Sequence, residues 1–351
     1  MKHVFTIHSP ITFLAAHAVI ENLELPIDDV IIFSNGYKVP LNTYSIFPFL
    51  ANRNTTYSKK LKNLITPKAE DNYISLHTNE EAFIAYIDLM SFFQKVLISH
   101  ENCKSFNFIE EGNSSYLIRN DLDTLTWDKR NEKFRVYGFK SYIKNIFSST
   151  KWAFRGYTNR FLALPYSYDS YQFIDEINYF TFSKNGFPLV ASQKRKVLQI
   201  QKSNALLEMS KSLFYRDIVI WVDGSNSKFT DLPETIYNKA IDKAIHKLKN
   251  SLTSKKIVIK LRPGIENLST NYLYAKLNSC GYHLEVMRND IVLEAVLINS
   301  KNCIVVGNLS SALFYASIFG HEAYSIYGLY DQKVKTIFDD MPGYWEHVKK
   351  I

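Results

Sequence analysis

The sequence predicts an α/β fold with two lobes, each built on a parallel β-sheet. Short apolar runs alternate with segments of helical periodicity in both halves of the chain. Strands that alternate with helices indicate parallel sheets covered by helices on both faces. The chain has 351 residues, 46% of them hydrophobic, which is more than one domain usually holds. We therefore expect two domains of comparable size.

The first half begins with a strand, a helix and a second strand. Apolar runs predict strands at 4–7 and 30–33, and the helix between them ends near Leu23. A long helix is predicted at 80–98, followed by a short strand at 105–109 that leads directly into Glu110.

A polar and basic stretch at 183–202 separates the two halves. We predict an N-terminal Rossmann-like domain at 1–195, a C-terminal Rossmann-like domain at 196–330, and a helical tail at 331–351 that packs back on the first domain. The second half contains predicted strands and helices in alternation. The strands are at 217–222, 257–261, 283–286, 303–306 and 323–327, and the helices include 231–248, beginning at an Asp231–Glu234 capping box, 291–299 and 309–319.

Cysteine usage and hydropathy indicate the compartment. No run approaches the roughly 18 apolar residues of a bilayer-spanning helix, and the N-terminus reads as a strand, so we expect a cytoplasmic protein. Cys103, Cys280 and Cys303 have no paired spacing, which argues against a disulfide framework and a zinc site. We interpret all three as core residues.

A basic segment accounts for the excess positive charge. Residues 129–160 contain nine Lys or Arg against Glu132 alone, which matches the +8 net charge of the whole chain. Eight aromatic residues are interleaved with these cations, a mixture suited to an anionic membrane surface or glycolipid. Nucleic acid fits the charge as well, but no recognition motif accompanies it, so we expect none as a partner. The alternative is a solvated basic helical face with buried aromatics.

Three short motifs follow predicted strands, where parallel sheets present ligand-binding groups. The first is Glu110-Glu111-Gly112, in which one carboxylate can face a ligand as a general base while the other anchors the loop. Gly112 permits a close turn. Acidic pairs before glycine are also common in ordinary turns, so this motif alone is a weak signal.

The other two motifs carry groups that suit a phosphate. Lys260-Leu261-Arg262-Pro263-Gly264 projects cations from a strand end, and a guanidinium can make paired hydrogen bonds to phosphate oxygens. Gly307-Asn308-Leu309-Ser310-Ser311 joins a strand to a helix start, where backbone N–H groups and hydroxyls favour an anion. The ordinary alternatives are a turn with a solvated cation and a serine N-cap.

In their order and approximate spacing, the three motifs resemble those of the bacterial GT-B sialyltransferases, which include lipooligosaccharide sialyltransferases and capsular polysialyltransferases. The resemblance extends from Phe5-Thr6-Ile7-His8 to the Ser-Ser helix and is strongest at 293–297 and 304–313. It implies a GT-B fold with the active site between the lobes, an acceptor-side first domain and a CMP-donor-binding second domain. It also implies that Glu111 deprotonates the acceptor hydroxyl, that Glu294 binds the cytidine portion, and that Ser310 and Ser311 bind the donor phosphate.

One motif departs from the family pattern. Where the family has His-Pro, this chain has Arg262-Pro263. Arginine keeps the charge but donates no proton at neutral pH, so help to the leaving CMP would be electrostatic. The departure leaves open whether the sugar is sialic acid or a relative, including Kdo.

The resemblance implies an inverting transfer from a CMP-sugar to a glycan or glycolipid hydroxyl. Because the donor carries one phosphate, no metal or other cofactor is expected, and the basic segment would face the membrane that displays the acceptor. The alternatives are a GT-B transferase for another activated sugar, such as a nucleotide diphosphate sugar, and a non-catalytic module that binds an anionic glycan or lipid.

Overall fold

The computed structural model describes most of both halves of the chain. The described residues are 1–39, 43–50, 67–89, 91–117, 125–128, 133–136, 168–200, 203–223, 233–249, 256–261, 268–330, 337–341 and 343–351. They divide into two compact units, Met1–Gln199 and Ile200–Ile351. The division lies four residues beyond the expected boundary at 195 and inside the polar stretch at 183–202.

The first unit is built on a seven-stranded, fully parallel sheet in the order β3-β2-β1-β4-β5-β8-β9. Its strands are β1 Lys2–Ile7, β2 Val30–Ser34, β3 Ser45–Pro48, β4 Phe83–Ile87, β5 Cys103–Ile109, β8 Tyr179–Thr181 and β9 Arg195–Val197, with a separate antiparallel pair, β6 Leu125–Asp128 and β7 Lys133–Val136. Its helices are α1 Pro10–Asn22, α2 Pro67–Thr78 and α3 Phe92–Ile98.

The long helix expected at 80–98 is wrong. The structure has strand β4 at Phe83–Ile87 and the short helix α3 at Phe92–Ile98 in its place. Four of the five residues of β4 are buried, because the strand lies between β1 and β5 with helices on the sheet faces. A continuous apolar run of this kind carries no period that separates a strand from a buried helix.

The second unit is built on a six-stranded parallel sheet in the order β12-β11-β10-β13-β14-β15. Its strands are β10 Val219–Asp223, β11 Lys256–Leu261, β12 His283–Met287, β13 Ile304–Gly307, β14 Glu322–Ser325 and β15 Lys349–Lys350. Its helices are α4 Asn204–Met209, α5 Glu234–Leu248, α6 Leu268–Ser279, α7 Leu293–Asn299, α8 Ser311–Ile318 and α9 Tyr344–His347. The two sheets confirm the predicted fold class.

Helix α5 shows how the sequence pattern creates the second core. Tyr237, Ala240, Ile241, Ala244, Ile245 and Leu248 recur at helical spacing and are all buried. They pack in one cluster with Trp221 of β10 and Ile257 and Ile259 of β11. Asp231, the expected start of the capping box, lies outside the described residues.

The described part of the C-terminal tail contacts the second unit. Strand β15 extends the sheet beside β14, and the ring of Tyr344 stacks on Phe314 of α8 at 5.9 Å between centroids. Tyr344 is fully buried. The described part of the tail therefore packs against helix α8.

Two further expectations concern the surface. Cys303 is buried and Cys103 is half-buried. Cys280 follows the last residue of helix α6 and is exposed, so its assignment to the core is wrong. Of the basic segment 129–160, only the backbone of β7 lies within the described residues. None of the described helices is long and apolar enough to cross a membrane.

Candidate functional site

Three neighbouring strands of the first sheet end in polar residues. Strands β1, β4 and β5 are adjacent and parallel, so they end on the same side of the sheet, here called its carboxyl edge. His8 follows β1, Asp88 follows β4 and Glu110 follows β5. The edge thus brings together side chains that are far apart in sequence.

Glu110 anchors the loop after β5. It is fully buried, and its Oε2 accepts hydrogen bonds from the hydroxyls of Tyr116 (2.8 Å) and Thr181 (2.7 Å) and from the backbone N–H of Phe182 (2.7 Å). Three donors on one oxygen stabilise a buried carboxylate. These contacts tie the start of the loop after β5 to Tyr116 and to the end of strand β8. The loop-supporting role of Glu110 stays a prediction.

Glu111 and Gly112 form the turn that follows. The backbone N–H of Glu111 donates to the hydroxyl of Ser115 at 2.8 Å, and its side chain is half-buried. Gly112 has a φ of 109°, a conformation that other residues rarely adopt. A short 3₁₀ helix, Asn113–Tyr116, begins directly after it. The glycine therefore lets the chain turn sharply while Glu111 stays at the strand end.

His8 and Asp88 form a close pair that the motif analysis missed. Nδ1 of His8 lies 2.6 Å from Oδ2 of Asp88, whose side chain is fully buried, whereas that of His8 is 28% exposed. Oδ1 of Asp88 accepts from the Thr6 hydroxyl (2.7 Å), the Leu89 backbone N–H (3.0 Å) and the Gln94 amide (3.2 Å). Asp88 is thus fixed from both sides.

The environment of His8 favours its charged form. Burial lowers the pKa of the imidazole, but the hydrogen bond to Asp88 and the negative charges of Asp88 and Glu111 outweigh burial, and the pKa is raised above its ordinary value. The effect of Glu111 also shows that the two side chains are electrostatic neighbours. A signal was present in the sequence, because His8 and Asp88 each follow an apolar run, as Glu110 does.

In the second sheet, Lys260 supports a loop. Its side chain is 6% exposed, and its Nζ donates to the carbonyl oxygens of Arg288 and Ile291, each at 2.8 Å. Burial lowers the pKa of the ammonium, while the charges of Glu294 and Asp290 act in the opposite direction. Both carbonyls belong to the segment between β12 and α7, so Lys260 positions the start of that helix.

Glu294 lies in the first turn of α7, close enough to Lys260 for their charges to interact. Burial raises the pKa of its carboxyl, and its own backbone N–H and the Lys260 ammonium oppose the shift. The side chain is half-buried by surface area. A carboxyl in this setting can accept or, when protonated, donate a hydrogen bond to a polar ligand.

Gly307 ends β13 where the neighbouring strand leaves no room for a side chain. A Cβ on Gly307 would lie 2.8 Å from the backbone oxygen of Val222 in β10. Next to it, Asn308 is buried, and its backbone oxygen accepts from the Ser325 hydroxyl at 2.6 Å. The turn after β13 is therefore fixed by close packing and by a buried hydrogen bond.

Ser310 and Ser311 begin helix α8. The Ser310 hydroxyl accepts from the backbone N–H of Ala312 at 3.2 Å as the N-cap, and the Ser310 carbonyl accepts from the Tyr344 hydroxyl at 3.0 Å. Ser311 is the first helical residue and is half-buried. The first N–H groups of an eight-residue helix, with the Ser311 hydroxyl beside them, suit a phosphate.

Arg262, Pro263 and Gly264 lie outside the described residues. Strand β11 ends at Leu261, in register with Asp223 at the end of β10. Asp223 is buried and accepts from the Tyr237 hydroxyl at 2.9 Å. Within the described ranges, no group of three or more His, Cys, Asp or Glu side chains is arranged to hold a metal ion.

Known structures show the fold of the chain. No family model and no curated protein sequence matches it. The structure of UDP-GlcNAc 2-epimerase from Methanocaldococcus jannaschii is similar over 100% of this chain and 89% of its own, with a TM-score of 0.50 and 10% identity. The glycotransferase of kitacinnamycin is similar over 99% of this chain and 86% of its own, with a TM-score of 0.46 and 11% identity. The GT-B domain of a sialyltransferase from Photobacterium damselae is similar over 90% of this chain and 88% of its own, with a TM-score of 0.46 and 11% identity. The chain therefore has two Rossmann-like units in sequence, as in the GT-B fold.

Proposed function

We propose that the chain is an inverting glycosyltransferase that moves sialic acid, or a related acidic sugar, from a CMP-activated donor to a hydroxyl of a cell-surface glycan such as lipooligosaccharide or capsule. One observation carries the proposal: both sheets end in motif residues suited to the two halves of this reaction. The first sheet ends in groups suited to acid–base chemistry, and the second leads into a helix N-terminus suited to binding a phosphate.

The second unit would bind the donor. The phosphate of a CMP-sugar fits the first N–H groups of α8 and the Ser311 hydroxyl, and Glu294 offers a carboxyl to the cytidine portion. Arg262 would stabilise the charge that develops on the departing CMP. A single phosphate needs no divalent metal to balance its charge, so the proposal includes none.

The first unit would bind the acceptor. Glu111 stands at the carboxyl edge with its backbone fixed by Ser115, and Glu110 holds the loop in place. In the proposed reaction, the Glu111 carboxylate accepts the proton of the acceptor hydroxyl. The hydroxyl oxygen then attacks the anomeric carbon while CMP departs. The basic segment 129–160 would hold the protein near an anionic membrane that displays the acceptor.

A nucleotide diphosphate sugar is the second candidate donor. The archaeal structure with the TM-score of 0.50 is a UDP-GlcNAc 2-epimerase, so a fold of this class serves a UDP-sugar in that protein. The order of the acidic, Arg-Pro and Ser-Ser motifs favours CMP. CMP-Kdo remains within the same donor class.

Donor-dependent nucleotide release tests the proposal. Purified protein is supplied with CMP-sialic acid, CMP-Kdo or UDP-GlcNAc and a lipooligosaccharide acceptor that lacks terminal sialic acid, and the released nucleotide is identified. We expect CMP release that depends on the acceptor. Release of UDP alone would support the second candidate.

Two variants separate an enzyme from a binding module. Glu111→Gln should lose turnover and keep acceptor binding, whereas Glu101→Gln, at an exposed position, should retain both. Acceptor binding without turnover in the wild type, with every donor, would support the module instead.

A further inference from the structure

We propose that the second unit carries a second ligand site, which binds the carboxylate and the ring of an acidic sugar residue. The site is a cavity of about 390 Å³ between the start of α4, the segment before β10 and the segment after α7. These segments meet where β10 and β13 begin, here called the amino edge of the second sheet. The motif residues of the proposed reaction follow strands instead, so this site goes beyond the proposed function.

Two cations of the cavity lie side by side. Arg216 and Lys301 both line the cavity, and they pair in a parallel β-bridge. Two backbone hydrogen bonds fix the bridge, from the Lys301 N–H to the Tyr215 carbonyl (2.9 Å) and from the Asp217 N–H to the Lys301 carbonyl (3.1 Å). The positions of the two cations are therefore set by the backbone.

The charged side chains that line the cavity are both positive. Neither Arg216 nor Lys301 forms an ion pair with another described residue. The acids next to the lining residues in sequence do not line the cavity: Asp217 accepts from the Asn302 amide at 3.1 Å, and Glu208 is exposed on α4. An anion here would be charge-complementary, and a planar carboxylate suits the paired donors of a guanidinium.

The cavity also has an apolar wall that is open to solvent. Phe214 is 68% exposed and Leu207 is 42% exposed, and both line the cavity. Large apolar side chains that are exposed together and rimmed by polar groups are typical of a binding surface. The C–H face of a sugar ring can pack on such a wall and remove its apolar area from water.

Asn299 leaves a buried oxygen without a donor in the residues around the cavity. The residue lines the cavity and is 8% exposed, and its Nδ2 donates to the Ala295 carbonyl at 3.1 Å. Its Oδ1 is buried and accepts no hydrogen bond from any described residue. Buried polar groups are almost always paired, so this oxygen indicates a missing donor. A sugar hydroxyl would supply one, whereas the acyl chain of a lipid would not.

Backbone strain concentrates around the cavity. Of the eight non-glycine residues with positive φ that the structure describes, four flank the lining residues, with φ between 50° and 59°: Lys211, Ser212, Asp217 and Asn302. Such conformations persist where the surrounding structure holds them, and they cluster at ligand sites. Asp217 and Asn302 directly follow the two cations and hydrogen-bond to each other, so the strained positions brace the bridge.

Together these groups select a carboxylated sugar. The cations suit the carboxylate, the apolar wall suits the C–H face of the ring, and the unpaired amide oxygen suits a hydroxyl. The volume lies within the range of about 300–1,000 Å³ that is typical of small-ligand sites. A free sugar acid and an acidic residue of a glycan chain offer the same groups, so the test includes both.

Calorimetric titration of the full chain tests the proposal. The probes are N-acetylneuraminic acid as a free sugar acid, its methyl glycoside as a chain residue, and N-acetylglucosamine as a neutral sugar. We expect the two acids to bind and the neutral sugar not to, and added salt to weaken the binding. Tighter binding of the glycoside identifies a chain residue as the ligand, and tighter binding of the free acid identifies a free sugar.

Matched variants locate the binding. Arg216→Gln should weaken the affinity for the acids by about tenfold or more, the usual effect of losing a hydrogen bond to a charged group. Lys276→Gln, which removes an exposed cation of the same unit, should bind like wild type. Phe214→Ala should also weaken the affinity, whereas Leu76→Ala, at a 69% exposed position of the first unit, should not.

Nuclear magnetic resonance shows where the acids bind. Amide nitrogen-15 shifts should change at 214–216 and 299–301 during titration. Saturating CMP and Ser311→Ala act on the proposed donor site, so both should leave these changes unaltered. Shift changes that disappear with CMP would place the sugar in the donor site and overturn the proposal.

The remaining outcomes separate this site from the proposed function. If neither acid binds, if the neutral sugar binds as tightly as the acids, or if folded Arg216→Gln and Phe214→Ala bind like wild type, this assignment is wrong while the proposed function stands. The same holds if inorganic phosphate shifts 214–216 and neither acid does. Binding of the acids at this cavity without sugar transfer from any donor would support this site and overturn the proposed function alone.

Discussion

Replacing Lys260 with methionine distinguishes a structural role from donor binding. The ammonium is buried and donates to the carbonyl oxygens of Arg288 and Ile291, so the variant leaves both acceptors without their donor. Those carbonyls hold the segment that leads into α7, where Glu294 lies. The change should therefore weaken the second unit first and affect donor binding as a consequence.

The magnitude follows from the number of hydrogen bonds lost. A buried acceptor that loses its partner costs about 1–3 kcal/mol, and two are affected. Removing the buried charge offsets part of this cost, since the ammonium no longer has to be desolvated. We expect a net loss of about 1–3 kcal/mol in the free energy of unfolding.

Calorimetry and hydrogen exchange measure the two consequences separately. The melting temperature of the second unit should fall in Lys260→Met, and amide exchange at 288–294 should accelerate. Lys276→Met is the matched control, because Lys276 makes an ion pair with Asp242 at 3.0 Å on the exposed surface, where such pairs contribute little to stability. Unchanged stability with weakened CMP binding would refute the reasoning and return Lys260 to the role of phosphate ligand.

Three further changes test other parts of the structure. Gly307→Ala should lower the melting temperature by more than Gly281→Ala does, because its Cβ meets a backbone oxygen at 2.8 Å, whereas Gly281 has open space and only a φ of +82° to accommodate; equal shifts would contradict the packing argument. His17 is buried with a pKa of about 4 against an unfolded value of about 6.5, so the unfolded chain binds its proton first and stability should fall by up to about 3 kcal/mol as pH decreases through this window. This loss of stability at low pH should be smaller in His17→Gln. If the melting temperatures of wild type and His17→Gln fall equally with pH, His17 is not the cause. Ser310→Ala should destabilise the protein by about 0.5–2 kcal/mol through loss of the α8 cap, whereas Ser311→Ala should weaken CMP binding with little effect on stability. If calorimetry instead shows the loss of stability in Ser311→Ala, and titration shows the loss of CMP binding in Ser310→Ala, the two roles are exchanged.

Periodicity predicted most of the second unit. The buried positions of α5 follow helical spacing, and the five apolar runs expected as strands became β10 to β14, with bounds within a few residues. The long helix at 80–98 failed because Phe83–Ile87 is apolar on both sides. Only its neighbours in the sheet decide that such a run is a strand, and no local pattern contains them.

The candidate site was predictable where a motif sits at a strand end. Glu110, Gly307 and Ser310 each occur where the sequence placed them, directly at the end of a strand or at the start of a helix. The pairing of His8 with Asp88 was not visible, because 80 positions separate them and only the adjacency of β1 and β4 brings them together. The contacts of Lys260 with the carbonyls of Arg288 and Ile291 were likewise not visible, because 28 and 31 positions separate the partners. A role of Lys260 in binding the donor stays a prediction.

The choice of nucleotide tests the central claim of a CMP-sugar donor most directly. Thermal unfolding is measured with CMP, UMP and UDP at matched concentrations, since a ligand at 100 times its dissociation constant adds about 2.7 kcal/mol to the free energy of unfolding. The account predicts that CMP raises the melting temperature well above the values with UMP and UDP, and that Ser311→Ala reduces the difference. Equal shifts with all three nucleotides, or a larger shift with UDP, would contradict it.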